Sequence, residues 1–429
     1  MLFQDITILD DRFERRDHMY VGVSDGTIDY IGDTIPQKDY GQVYEGKGKL
    51  LMTGFFNVHA HSPMTLLRGY GENMVLQDWL NKRIFPFEAK LDEDAVYWAT
   101  KLAIAESLQY GIVSTSDMYY FNEQMAKAVL ETKTKFNLSC SVTCFDDSDL
   151  WQLPVYREGK DVFRRYHNAG DDRLKIDMSL HAEYTSNEKI VLQLADHTRE
   201  LNAQMHVHVS ETKAEVEGCK QRHDGKTPVE YLDALGLFDQ PTIAAHCVWL
   251  EGDDFDILAE RGVTAASCPI SNMKISSGFA NIPKMLKKGI NVGIGTDSVA
   301  SNNSLNFIEE IKTFAIASKG AYGDPTAISP VEALTCATYN GAVAQGRKDC
   351  GKMKEGFRAD LIVLDLNKPH MRPVHDLATN VVYSACGSDV VLTMVDGEVL
   401  YRDGNFLTLD LEETIAKTEE AVQRILARL

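Results

Sequence analysis

The chain has 429 residues, is 44% hydrophobic and 25% charged, and carries a formal net charge of −19. That is a globular composition, long enough for a large core and more than one structural unit, and its acidity argues against nucleic acid or an anionic membrane as a partner. No run of about 18 apolar residues marks a membrane span, Met1-Leu2-Phe3-Gln4-Asp5 lacks a signal-peptide pattern, and eight scattered cysteines suggest no disulfide framework, so a cytoplasmic, reduced protein is expected.

Residues 1–50 carry short β-like pieces, Ile6–Leu9, Met19–Val23 and Thr27–Ile31, with Ser24-Asp25-Gly26 as a hairpin turn. From about residue 50 apolar strands alternate with helical stretches. Eight strands are expected: Leu51–Val58, Gly111–Ser116, Leu138–Phe145, Ile176–His181, Ala203–Val209, Thr242–Cys247, Val263–Cys268 and Asn291–Thr296. Glu93–Tyr110 reads as an amphipathic helix between the first two. Eight β/α units argue for a closed (β/α)8 TIM barrel over residues 51–356. Short strands return at Asp360–Asp365, Val381–Tyr383, Val390–Val395 and Glu398–Tyr401, with Asp396-Gly397 as another turn. Segments 1–50 and 357–405 are expected to form one small β-sandwich domain beside the barrel. Residues 406–429 hold a C-terminal amphipathic helix with Ile415, Val422, Ile425 and Leu426 on one side.

In such a barrel, chemistry belongs at the C-terminal ends of the strands. His59 and His61 end the first, and residues two apart on a strand point the same way, so both imidazoles converge. His181 ends the fourth strand, His208 the fifth with Glu211 just beyond, and His246 the sixth. Asp297 follows the eighth. Three imidazoles and one carboxylate suit one divalent metal, zinc foremost and Fe2+ as the other option, with water completing the shell. The metal would bring that water's pKa to about 7. Glu211 is placed to shuttle a proton, Asp297 to accept one from the water, and His246 to orient it by a hydrogen bond. The fourth strand ends in His181 rather than a bridging Glu or carboxylated Lys, which favours a mononuclear site. His206 points the same way as His208 but one layer deeper, as a filler or a hydrogen-bond partner. His181-Ala182-Glu183 matches the H-x-E of small zinc deaminases by chance, since no P-C-x-x-C follows. Cys140 and Cys144 read as buried thiols.

The segments Asn57-Val58-His59-Ala60-His61, His208-Val209-Ser210-Glu211, Ala245-His246-Cys247 and Gly295-Thr296-Asp297-Ser298 resemble the amidohydrolase superfamily over nearly the whole chain. Gly351–Asp360 resembles the stretch where that family's chain leaves the barrel for the small sheet. Asp78-Trp79-Leu80, Pro86–Lys90, Ser271-Asn272-Met273-Lys274 and Ala300-Ser301-Asn302-Asn303 look most like the branch deaminating S-adenosylhomocysteine, methylthioadenosine and related aminopurines. That branch also contains triazine hydrolases and guanine deaminases. The resemblance implies metal binding by His59, His61, His208 and Asp297, and proton work by Glu211, His246 and Asp297. It implies substrate contacts from Trp79, Glu88 and His181, with Glu88 on ribose hydroxyls. Trp249 is a departure that would narrow the mouth. An arginine for a substrate carboxylate is implied too, and Arg157, Arg164 and Arg165 lie in the right stretch without any one aligning.

The expected reaction is hydrolytic deamination of an aminopurine nucleoside, a metal-held hydroxide attacking the amine-bearing ring carbon with release of ammonia. The alternative is a guanine- or pterin-type base deaminase, or a triazine-type hydrolase, on the same site; a catalytically silent scaffold is a remote third. The expected partner is a small heterocyclic amine, and a homodimer or higher homo-oligomer is the default assembly.

Overall fold

The computed structural model describes residues 1–429, and the side chains of all of them except Leu76 and Gln77. Eight parallel strands follow one another around a barrel: Phe55–Ala60, Ile112–Tyr119, Lys135–Cys140, Leu174–Ala182, Met205–Val209, Thr242–His246, Thr264–Ser267 and Asn291–Ile294. Each pairs with its sequence neighbour in parallel register. The ring closes where Ala60 bridges Asp297 and the Asp297 N–H donates to the His59 carbonyl at 2.9 Å. Asn57 fastens the same seam, giving its amide to Thr296 Oγ1 at 2.8 Å and accepting the Thr296 N–H at 3.0 Å. Helices cover the outside, so the strands are buried on both faces and read as continuous apolar runs. All six residues of Phe55–Ala60 are buried. Gly295 lets the last turn sit against the first strand, because a Cβ there would lie 2.9 Å from His59 Cβ.

The expected strand Leu51–Val58 is two strands. Lys49–Thr53 pairs with Leu361–Asp365 in the terminal sheet, and Phe55–Ala60 enters the barrel. The break falls at Gly54, where a Cβ would come within 2.3 Å of Val113 Cγ1. The third barrel strand begins at Lys135 rather than Leu138. A lysine at a strand start reads as solvent-facing, yet this ammonium is buried between Asp360 (2.6 Å) and Asp396 (2.6 Å). Val381–Tyr383, expected as a strand, is the end of a helix, Leu377–Tyr383. The Asp376 carboxylate caps that helix by accepting the Thr379 N–H at 2.6 Å, and the cap outweighs the β preference of two valines.

The two chain ends build one nine-stranded sheet. Its faces alternate as a pleated strand requires. Leu50, Met52, Ile362 and Leu364 pack into the barrel-side core, while Leu51, Leu361 and Val363 join Phe3, Val21, Ile28 and Met394 in a core of the sheet's own. Two of its turns meet at Ala359, which donates to Gly26 of the Ser24-Asp25-Gly26 turn (2.9 Å) and accepts from Gly397 of the Asp396-Gly397 turn (2.9 Å). The sandwich is thus one sheet folded over itself. The C-terminal helix, Leu411–Leu426, returns to the barrel, where Arg424 pairs with Asp92 (3.1 Å) and Asp94 (2.9 Å) at the start of helix Glu93–Gln109. Among the described residues no helix is long and apolar enough to cross a membrane.

Candidate active site

The C-terminal rim of the barrel gathers the histidines and carboxylates singled out above. One ring nitrogen each from His59, His61 and His208 lies within 4.8 Å of the others. The Nε2 atoms of His61 and His208 are 3.4 Å apart, and Asp297 Oδ1 stands 3.4 Å from His61 Nε2 and 3.8 Å from His59 Nε2. The other ring nitrogens are anchored. His61 Nδ1 donates to the Met118 carbonyl (2.5 Å), and His208 Nδ1 to the His181 carbonyl (2.6 Å). His59 Nδ1 meets His206 Nε2 at 2.9 Å. Such bonds fix the tautomer that leaves an Nε2 lone pair facing inward.

The donor set fits a divalent cation. His59 Nε2 is fully buried and has no hydrogen-bond partner, an orphaned acceptor aimed at the other imidazoles. Burial, then the neighbouring imidazoles, hold His59 and His208 well below the ordinary histidine pKa, in the neutral form that binds metal. Asp297 is equally constrained: Oδ2 accepts from Ser271 Oγ (2.5 Å) and Ser301 Oγ (3.1 Å), and Oδ1 accepts from the Ser298 N–H (2.7 Å). Ser210, His246 and Asp297 all adopt left-handed φ (51°, 73° and 59°), strained conformations that turn strand ends sharply into the cleft.

Beside this cluster Glu211 Oε2 faces His246 Nε2 at 3.9 Å. Ser277 Oγ donates to Glu211 Oε1 (3.3 Å), and His246 Nδ1 donates to Asn272 Oδ1 (2.9 Å). Burial, with the Asp297 charge adding to it, raises the Glu211 carboxyl above the usual range. Burial works against the His246 cation, but Glu211 and Asp297 outweigh it and raise that pKa. Burial, then nearby imidazoles, takes His181 down to about 4; its Nδ1 meets Thr185 Oγ1 at 3.0 Å.

The cluster floors a cleft of about 730 Å³. Trp79 and Glu88, from the segment joining the first strand to helix Glu93–Gln109, form one wall with Leu80, Ile84 and Phe85; Tyr119, Tyr120, His181 and Tyr184 form another. Glu88 accepts from the Tyr119 hydroxyl at 2.8 Å, and burial pushes its carboxyl up to about 7 against that bond. Two expectations fail. Trp249 does not line the cleft: its indole N–H donates to the Ser277 carbonyl at 2.6 Å, and the residue is 39% exposed. None of Arg157, Arg164 and Arg165 reaches it either. All three ride on helix Pro154–Tyr166 outside the barrel, Arg164 with Asp161 (3.2 Å) and Arg165 with Glu123 (2.7 Å).

The sequence model of the amidohydrolase family matches residues 50–400. The chain belongs to the amidohydrolase family. It is 40% identical to a 5-methylthioadenosine/S-adenosylhomocysteine deaminase of Dictyoglomus thermophilum, over 92% of this chain and 91% of that one. A 5′-deoxyadenosine deaminase of Methanosarcina acetivorans is also 40% identical, over 95% and 94%. Among solved structures, an adenosine deaminase of Xanthomonas campestris with bound zinc superimposes with a TM-score of 0.92, at 28% identity and over 99% of this chain and 98% of that one.

The residues that hold this amidohydrolase's central groups in place were only partly readable. Ser271, Asn272 and Ser301 stand in matched segments without a role, and Ser277 and Tyr119 carry no signal. Glu215 accepts the N–H groups of Ser210 and Glu211, both at 2.8 Å. Its signal is the capping box Thr212-x-x-Glu215, which is visible once a helix is expected after Glu211.

Proposed function

We propose that this amidohydrolase is a zinc-dependent aminohydrolase that deaminates the purine ring of an adenosine-type nucleoside. The observation that carries this reading is the convergence, in one cleft, of the His59–His61–His208–Asp297 cluster, the Glu211–His246 pair and the half-buried Glu88. On this reading His59, His61, His208 and Asp297 hold the metal. When bound, zinc supplies a water acidified to a pKa of about 7, available as a nucleophile at neutral pH.

The remaining work belongs to the chain. Water's oxygen bonds to the amine-bearing ring carbon, and the C–N bond breaks. One water proton ends on the adjacent ring nitrogen and the other on the departing ammonia. Glu211, whose carboxyl burial raises above its usual range, gives a proton to the ring nitrogen and takes up the oxygen's second proton in return. Asp297, fixed by Ser271 and Ser301, takes a proton from the water and passes it towards the leaving amine. His246, oriented by Asn272, donates a hydrogen bond to the oxygen as negative charge grows on it. Glu88 accepts from ribose hydroxyls, and Trp79 and His181 bracket the heterocycle.

The test is ring absorbance and ammonia release from zinc-loaded protein given adenosine, 5′-deoxyadenosine, methylthioadenosine, guanine and a pterin. Turnover of the nucleosides supports the reading. Turnover of a bare base alone overturns the nucleoside part. Glu211→Gln should lower kcat by about 10²–10⁴ with zinc retained, and unchanged turnover refutes its proton role.

A further inference from the structure

The relatives act on adenosines whose 5′ groups differ in charge: a deoxy or methylthio group is neutral and apolar, whereas the homocysteine tail of S-adenosylhomocysteine ends in an ammonium and a carboxylate. We infer that this cleft selects nucleosides with a neutral, apolar 5′ substituent and discriminates against a carboxylate-bearing tail. The inference rests on the nucleoside reading above. Not one of the cleft-lining residues is a lysine or arginine, and neither Leu76 nor Gln77 is basic. The acidic side chains that line the cleft are those of Glu88, Glu211 and Asp297.

The basic side chains flanking the cleft are turned to partners of their own. Lys82 pairs with Asp78 at 2.9 Å and Lys274 with Glu72 at 2.6 Å. Arg68 pairs with Glu106. Arg83 lies over the Tyr70 ring (5.6 Å) and Lys213 over Trp249 (5.9 Å). The loop leading from the third barrel strand into helix Pro154–Tyr166, the stretch before those unaligned arginines, is acidic instead, with Asp146, Asp147 and Asp149.

With the amine-bearing carbon at the histidine end, the 5′ tail lies towards the Glu88 side. The apolar side chains lining the cleft include Met64, Leu80, Ile84, Phe85, Tyr120 and Ile275, which suit a thioether or methyl group. A carboxylate meeting these apolar side chains gives up hydration for no lysine or arginine partner.

The experiment compares kcat/KM of the zinc enzyme for methylthioadenosine, n-butylthioadenosine and S-adenosylhomocysteine, and repeats the series as dissociation constants for zinc-loaded Glu211→Gln. The butyl tail matches the homocysteine chain in length without its charges. The expected result is comparable values for the two neutral thioethers and a value for S-adenosylhomocysteine at least about ten-fold poorer, about 1.4 kcal/mol, in both turnover and binding. S-adenosylhomocysteine handled as well as methylthioadenosine overturns the inference. So does an equal loss for butylthioadenosine, which makes length and not charge the discriminant. No deamination of any nucleoside overturns the reaction reading itself, and is told apart because every member of the series is then silent.

Discussion

Glu215→Gln tests whether the fifth strand's turn is held by one buried carboxylate. Ser210 is left-handed (φ 51°), and the next residue is Glu211. Both oxygens of Glu215 are used: Oε1 takes the Ser210 N–H and Oε2 the Glu211 N–H, each at 2.8 Å. The side chain is 7% exposed, so water cannot replace either bond. Glutamine has one oxygen for two donors, and its NH2 group confronts the other N–H. Burial, then the neighbouring Glu211 charge, pushes the Glu215 carboxyl up to about 7; a hydrogen bond to it contributes about 0.5–1.5 kcal/mol when neutral and about 1.5–3 kcal/mol when ionised, and a buried donor without a partner costs about 1–3 kcal/mol. A loss of about 3 kcal/mol at this turn is therefore expected. If it appears as misplacement of Glu211, kcat falls by about 10². The assay is steady-state kinetics beside zinc content. The expected pattern is kcat down, KM within about three-fold and zinc unchanged, because substrate walls and metal-facing nitrogens are untouched. Glu215→Asp keeps the charge but shortens the reach, and should recover only part of the rate. A folded Glu215→Gln enzyme with kcat within two-fold of the parent refutes the argument. A matched fall in zinc content shows instead that His208, two residues before Ser210, is what the turn holds.

His208→Ala should lower zinc content measured by atomic absorption, and full retention refutes its place in the metal cluster. Lys135→Met strands Asp360 and Asp396 without their shared ammonium (2.6 Å to each) and should destabilise the fold by about 3–5 kcal/mol in guanidinium unfolding; a change under about 1 kcal/mol refutes it. Asp396 gives the pH dependence. Burial opposes its ionisation, but Lys135 and Arg358 hold its carboxyl down to about 2 from an ordinary 3.8. A carboxyl lowered in the folded state adds stability that is present above its unfolded pKa and lost as pH falls through the folded value. Parent and Asp396→Asn should therefore differ most in unfolding midpoint near neutral pH and converge between about pH 4 and 2; a difference constant over that range refutes the assignment.

The rim chemistry was legible because barrel geometry converts position along a strand into position in space. His59, His61, His181, His208, His246 and Asp297 each close or follow an apolar run, and such residues face one opening. Two of the partners that fix them were not legible because each rests on a single long-range bond: Ser277 meets Glu211 and Asn272 meets His246 from 66 and 26 residues away. The strand at Lys135 was misread for a related reason. Its neutralising carboxylates, Asp360 and Asp396, lie more than 200 residues later, in the sheet built from the other end of the chain.

The arginines show the same geometry working in reverse. Arg157, Arg164 and Arg165 follow the third barrel strand in sequence, which invites placing one at the substrate. In a (β/α)8 barrel, however, only the loop between a strand's end and the next helix reaches the cleft; the helix itself runs back along the outside. Here that loop ends at Leu153, and the arginines begin within helix Pro154–Tyr166, where Arg165 is spent on Glu123 of the neighbouring helix. The loop proper offers aspartates. Proximity to a motif in sequence therefore carries weight only for residues that precede the helix, and by that criterion the third strand brings no basic side chain to this cleft: Ser141 lines it, and Asp149 of the loop is paired with Lys189 at 2.7 Å.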